Sequence, residues 1–242
     1  MEHSQFTLLH GDCVQLLSEI PDNSVDLVVT DPPYFLPARH YATRKEFPRT
    51  LSDLSMIEFF YYEVFRQCAR VLKPTGALYM FCDGQSYPVF FSVGYRFSKN
   101  LRPIIWDKQN SINGYSWRHQ HEMILFAEMN DAPNVATGDG DIIRYRAVAI
   151  DDRDHPAEKP VGLLRKLIEK STQAGQKVLD PFTGSGSCGE ACAESGRYFI
   201  GIEKEKDYFE LAKARIENAY RTKISKTHKP LEMPLFSGMG GG

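Results

Sequence analysis

Apolar positions follow two rhythms along this chain. Nearly continuous apolar or β-branched runs stand at FTLLHGD (6–12), SVDLVVTD (24–31), GALYMFCD (76–83), LRPIIWDK (101–108), HEMILFAE (121–128), KVLDPF (177–182) and YFIGIE (198–203). Short runs without alternation predict strands covered on both faces. Between them, apolar residues recur at helical spacing over 55–72, 160–174, 187–196 and 205–222, with Pro160 near the first turn of the second helix. Strands alternating with helices predict an α/β fold, with a seven-stranded, mostly parallel sheet and helices on both faces. Residues 1–224 read as a single domain. The stretch 129–158 has weak periodicity and many acids, and reads as a small insertion; 225–242, ending PLFSGMGGG, reads as a flexible tail.

Composition removes several classes. With 42% hydrophobic and 12% aromatic residues among 242, the chain can bury a sizeable core and is not a disordered sequence. No apolar run approaches the roughly 20 residues of a membrane span. The N-terminus, MEHSQFTLLHGD, lacks the basic and apolar regions of a secretory signal. Five cysteines, an odd number with no CxxC pair, predict reduced thiols in a cytoplasm. The net charge of −2 says little about partners, but its distribution says more. Residues 37–50 carry Arg39, Arg44, Lys45 and Arg49, with His40, against Glu46 alone. The four cations of 221–229 read as a solvated face.

Two segments carry chemistry. In KVLDPFTGSGSCG (177–189) a strand ends at Asp180, and Gly184-x-Gly186-x-x-Gly189 opens a helix. Glycines there let the backbone approach a ligand that a Cβ would block. The next strand ends at Glu203, 19 residues after Gly184, a distance that suits a carboxylate on ribose hydroxyls. A pyrophosphate loop places its first glycine at the strand end, whereas here Asp180-Pro181-Phe182-Thr183 intervenes. An acid in the crook of the loop repels a pyrophosphate and attracts the cationic amino end of S-adenosylmethionine (SAM). The residues therefore favour SAM over a dinucleotide.

The second segment is Asp31-Pro32-Pro33-Tyr34, directly after a predicted strand. Consecutive prolines fix two φ angles and remove two amide donors, which leaves the carbonyls of the turn free to accept. Asp31 adds a carboxylate acceptor and Tyr34 a flat aromatic face. The set suits a planar substrate with an exocyclic NH₂: two acceptors for its two hydrogens and a ring on which to stack. The plainer alternative is a stiff turn with a core tyrosine.

DPPY followed downstream by VLDPFTGSGS resembles the amino-group DNA methyltransferases, which modify adenine N6 or cytosine N4. LHGDCVQLLSEIPDNSVDLVVTDPPY, WDKQN with HEMILFAE, HPAEKPVGLLRKLIEKST and RYFIGIEKEKDYFELAKARI are similar to further blocks of that family, so the likeness spans most of 6–220. The order, catalytic motif first and SAM motif last, is that of the permuted β group. It differs from the ribosomal and protein amide methyltransferases, which place the SAM motif upstream. The resemblance implies the Rossmann-like SAM-dependent fold, SAM as cofactor, double-stranded DNA as partner, and a prokaryotic or phage origin, often within restriction-modification. It implies that Asp31, Pro32, Pro33 and Tyr34 hold the flipped base. Asp180 and the backbone of Phe182, Gly184 and Gly186 would cradle SAM, with Asp31 at its edge, and Glu203 would take the ribose hydroxyls. Asp12 and Cys13 would meet the adenine ring of SAM, and Lys159 and Pro160 would shape its methionine end. On the residues alone, Asp12 reads equally as a strand-end cap, and Lys159 as a charge neutralising a helix start.

Asp at the first motif position favours adenine N6 within the family, with cytosine N4 as the alternative. A non-catalytic SAM-fold subunit is the reading from a different class. No Pro-Cys dipeptide occurs, which argues against cytosine ring-carbon chemistry. His119 and His121 would share a face if both lay on a strand, but no third ligand stands nearby, so no metal is expected. Cys188 and Cys192 read as small core residues. Trp106 reads as core, and Trp117 as core or DNA contact. Residues 129–158 are too few for an independent recognition domain. DNA contacts are therefore expected from a loop at 35–55 (Arg39, His40, Arg44, Lys45, Arg49) and from Asn113, Arg118 and His119, with Arg144 and Arg146 alongside. The expected target is short, and a homodimer would supply further contacts.

Overall fold

A computed structural model describes residues 5–34, 54–98, 100–109, 117–129, 138–149 and 158–227, with the side chains of 54–57 and 224–227 excepted. In chain order the elements are β1 (Phe6–His10), α1 (Cys13–Leu17), β2 (Val25–Thr30), α2 (Leu54–Val71), β3 (Leu72–Cys82), α3 (Tyr87–Gly94), β4 (Asn100–Asp107), β5 (His121–Glu128), β6 (Ile142–Arg144), α4 (Val161–Ser171), β7 (Lys177–Asp180), α5 (Ser187–Ser195), β8 (Tyr198–Glu203) and α6 (Lys206–Thr227).

The strands form one sheet in the order β1-β8-β7-β2-β3-β5-β4-β6. Among the described residues, only β5 runs antiparallel to its neighbours, β3 and β4. The sheet has eight strands among the described residues, not the seven expected. The additional one is β6, which pairs parallel with β4 through Ile105–Ile142 to Asp107–Arg144. It lies within the stretch read as an insertion, and three residues are too few to show a period.

Every residue of β2 is buried because both faces of the sheet are covered. On one face, Val28, Leu78 and Met80 pack with Leu17 of α1, Tyr61, Val64 and Cys68 of α2 and Phe90 of α3. On the other, Leu27, Val29, Tyr79 and Phe81 pack with Leu163 and Leu167 of α4, Cys188 and Cys192 of α5 and Ile216 of α6. Alternate residues of each strand thus feed opposite cores. Helix α4 stops at Ser171, short of the expected 174, because Thr172 is extended and its hydroxyl donates to the Ile168 carbonyl at 2.5 Å.

This order positions the site. From β2 the chain steps to β3 on one side, and from β7 to β8 on the other, so the winding reverses between β2 and β7. In open α/β sheets, ligands bind beyond the carboxyl ends of the strands at such a reversal. Asp31 directly follows β2, and Asp180 ends β7.

Candidate functional site

The acids read from the sequence converge on one edge of the sheet, beyond the carboxyl ends of β1, β8, β7 and β2. Asp180 is 5% exposed, and its Oδ1 accepts from Thr30 Oγ1 at 2.8 Å and Phe182 N at 3.1 Å. Thr30 precedes Asp31, so this bond ties the glycine loop to the DPPY turn. Burial pushes the Asp180 carboxyl up to about 7 despite these two donors, with Asp31 and Glu203 adding repulsion. A buried carboxyl that is costly to ionise suits a cationic ligand group.

Glu203 accepts from Gly184 N and Glu205 N, both at 2.8 Å. These bonds orient the carboxylate and leave acceptor capacity for hydroxyls. Burial raises its pKa, and backbone N–H donors oppose the rise. Gly184 and Gly186 have φ of +54° and +86°. A Cβ on Gly186 would stand 2.9 Å from Ala212 Cα, so the residue serves both the turn and the approach of α6. The carboxylates of Asp180 and Glu203 would repel a pyrophosphate and fit SAM.

Asp12 caps α1, accepting from Val14 N at 3.0 Å, and Lys204 approaches it at 3.4 Å. The strand-end cap is thus real, and the second carboxylate oxygen faces Lys204. Cys13 is buried, which pushes its thiol to about 12. Cys188 and Cys192 are core residues, as is Trp106, whereas Trp117 is 90% exposed and so not core.

At the DPPY turn, Tyr34 Oη donates to Asp31 Oδ1 and Lys159 Nζ donates to Asp31 Oδ2. The Pro33 carbonyl is not free: it accepts from Tyr61 Oη of α2. Lys159 is 6% exposed. It precedes α4, but its ammonium lies 5.8 Å from the Tyr34 ring centre and 5.1 Å from that of Phe81. It reaches the DPPY turn and does not merely neutralise the helix start. Behind it stands Glu122 of β5, 3.5 Å away, which in turn accepts from Lys108. Burial opposes the charge on Lys159, but Asp31 and Glu122 more than offset it and hold its pKa above the usual value. Burial raises the Asp31 carboxyl, opposed by Lys159 and reinforced by Glu122. Burial raises the Tyr34 phenol, and Asp31 raises it further, so the hydroxyl stays a donor.

Glu122, Lys108, Thr30 and Tyr61 were not singled out by sequence reasoning. Glu122 and Lys108 each stand at the end of an apolar strand, a position that usually means solvent. A further clamp is Arg215 of α6, which bonds Glu190 at 2.5 Å, Glu158 at 2.7 Å and Ser185 at 3.3 Å, joining the glycine loop to the segment that carries Lys159. His119 lies in the loop before β5 and only His121 in the strand, so the two do not share a strand face. Arg118, His119, Arg144 and Arg146 are exposed at the same sheet edge as Asp31, because β4 and β6 end there and β5 begins there. Arg39, His40, Arg44, Lys45, Arg49 and Asn113 lie outside the described residues, as do most of the 35–55 loop, much of 129–158 and the tail from 228.

The family profile described as DNA methylase, for N6 and N4 methyltransferases, matches residues 25–214. The Type II methyltransferase M2.MboI of Moraxella bovis is 30% identical, over 93% of this chain and 95% of that protein. M2.DpnII of Streptococcus pneumoniae is 30% identical, over 88% and 90%. Among solved structures, the M1.HpyAVI–SAM complex is similar with a TM-score of 0.64 and 25% identity, over 87% of this chain and 99% of that one. The SAM complex of TTHA0409 from Thermus thermophilus shares the fold, with a TM-score of 0.70 at 24% identity over 89% and 94%.

Proposed function

The chain belongs to the N6/N4 DNA methylase family and is a SAM-dependent DNA methyltransferase, and we propose that its acceptor is the exocyclic N6 of a flipped adenine. One observation carries the residue assignments: Thr30 links Asp180 to the DPPY turn at the winding reversal, so cofactor carboxylate and base-binding carboxylate share one crevice.

SAM supplies an electrophilic methyl group on a sulfonium. Asp180 holds its cationic amino end, Glu203 its ribose hydroxyls, and the Phe182, Gly184 and Gly186 backbone lines its path. Asp12 and Cys13 close the side toward its adenine, with Lys159 and Pro160 at the methionine end. The target nitrogen is a poor nucleophile because its lone pair is delocalised into the ring. Asp31 and the Pro32 carbonyl accept its two hydrogens, which favours a tetrahedral nitrogen with its lone pair aimed at the methyl group. SAM would supply the methyl group to this nitrogen and keep the S–C electron pair, and Asp31, which already accepts one amine hydrogen, would take the surplus proton. Alignment supplies much of the acceleration. The nitrogen is unreachable inside a duplex, so the base is extruded, at a cost of a few kcal/mol, and stacks on Tyr34.

Adenine is supported by Asp31 at the first motif position. Residues 1–224 act as one catalytic domain. Sequence is read by the 35–55 loop and by Arg118, His119, Arg144 and Arg146, which stand on the crevice edge. With so few base-reading side chains, the target is about 4–5 base pairs, and a homodimer would add contacts.

The deciding experiment incubates the purified protein with methyl-labelled SAM and unmethylated DNA and resolves the nucleosides. Label in N6-methyladenine is expected. Label in N4-methylcytosine would move the acceptor to cytosine, and SAM binding without transfer would leave a non-catalytic subunit.

A further inference from the structure

Both carboxylate oxygens of Asp31 are engaged, one by Tyr34 and one by Lys159. An incoming amine needs one of them. Displacing the Lys159 ammonium would strand a buried cation, at a cost that blocks binding unless another acceptor waits within reach. One does. Glu122 Oε2 is buried, accepts no hydrogen bond among the described residues, and lies 3.5 Å from Lys159 Nζ. Its other oxygen is held by Lys108, whose ammonium lies 5.2 Å from the Trp106 ring centre. Asp31, Lys159, Glu122 and Lys108 thus form a chain of alternating charge.

We propose that Glu122 is a positioning residue for methyl transfer: it receives Lys159 from Asp31 as the target amine arrives, and so frees Asp31 to accept the amine hydrogen. The inference rests on the base-binding role of Asp31 given above. Lys108 keeps Glu122 in place and sets how strongly it pulls on Lys159. The groups facing Asp31 are Tyr34 and Lys159, with Glu122 of β5, Cys82 of β3 and Asp180 of β7 beyond them.

The test is the pH profile of single-turnover methyl transfer, with SAM affinity and thermal unfolding measured alongside. In Glu122→Gln, Lys159 loses the carboxylate 3.5 Å from its ammonium and is held more firmly by Asp31. The rate should fall about 10-fold, and the acid limb, where Asp31 gains its proton, should move to lower pH by about one unit, with SAM affinity within about twofold of wild type. Lys108→Met leaves Glu122 more negative toward Asp31, so its acid limb should move the other way. Opposite displacements are not produced by loosened packing, and the Lys108→Met limb still decides if Glu122→Gln fails to fold. Wild-type rate and limb in Glu122→Gln, or limbs moving together in both variants, would overturn the proposal. Full activity in Asp31→Asn would instead overturn the underlying role of Asp31.

Discussion

Lowering the pH from 7 to 5.5 should weaken SAM binding about 16-fold, through one carboxyl. In the ligand-free protein, Asp180 titrates at about 7, raised chiefly by burial. A cationic amino group favours the ionised form, so binding expels the proton that Asp180 holds at acid pH. The apparent dissociation constant then scales as one plus the ratio of protonated to ionised Asp180, about 2 at pH 7 and about 33 at pH 5.5. Over this range an α-amino group, with a pKa of about 7.7–8.0, keeps its charge, so the ligand adds little. The folded pKa lies above the unfolded value of about 3.9, so folding takes up a proton between these values. Stability from this group is therefore greatest at acid pH and is lost as pH rises toward 7, opposite to the trend in affinity. Calorimetric titration across pH 5.5–7, in two buffers of different ionisation enthalpy, reads both affinity and proton release, with nearly one proton released at pH 5.5. Asp180→Asn should bind more weakly at pH 7 and show neither slope nor Asp180 proton release. A flat wild-type affinity, or an Asn variant with the wild-type slope, would refute the reasoning. Glu203 also has a raised pKa, and the Asn variant separates its contribution.

Asp31→Ala should abolish methyl transfer and leave SAM affinity within about threefold, because the residue is assigned to the base; single-turnover assays and calorimetry check this, and a near-normal rate would remove Asp31 from the mechanism. Gly186→Ala places a methyl 2.9 Å from Ala212 Cα at a φ of +86°, and should cost about 2 kcal/mol or more in chemical denaturation, with weakened SAM binding; wild-type stability would contradict the close approach of α6. Reversing the charges of Arg44 and Lys45 should weaken DNA binding and flatten its salt dependence by about one unit of slope for each phosphate no longer neutralised, whereas an unchanged slope would exclude the basic segment from the interface. Mapping of modified bases after expression in an unmethylated host should return a target of about 4–5 base pairs; a strictly specified site of about seven or more from a monomer would show that the reading surface is larger than proposed.

Much of the fold was legible because the central strands are covered on both faces. Leu78–Cys82 is apolar throughout and Val25–Thr30 is apolar but for Asp26 and Thr30, and such runs stand out from amphipathic helices. The carboxyl-end acids were legible too, since Asp31, Asp180 and Glu203 each close an apolar run and border a special turn. Local spacing alone specified the glycine loop, because φ and Cβ limits act within a few residues. Beyond that reach the sequence was silent. Strand β6 is too short to carry a period. Its place beside β4, with Arg144 and Arg146 on the crevice edge, follows from pairing across 37 residues (Ile105 to Ile142). Lys159 next to a proline at a helix start reads as a local charge, yet its ammonium crosses 128 residues of sequence to Asp31. Glu122 reads as an ordinary strand-end acid until β5 sets it against Lys108 and Lys159. The residues proposed to bind a methyl donor and an amine were decided by local chemistry. Which oxygen is occupied, by which cation, and what waits to receive that cation were decided by tertiary packing, because buried charges find partners by proximity in space and carry no period along the chain.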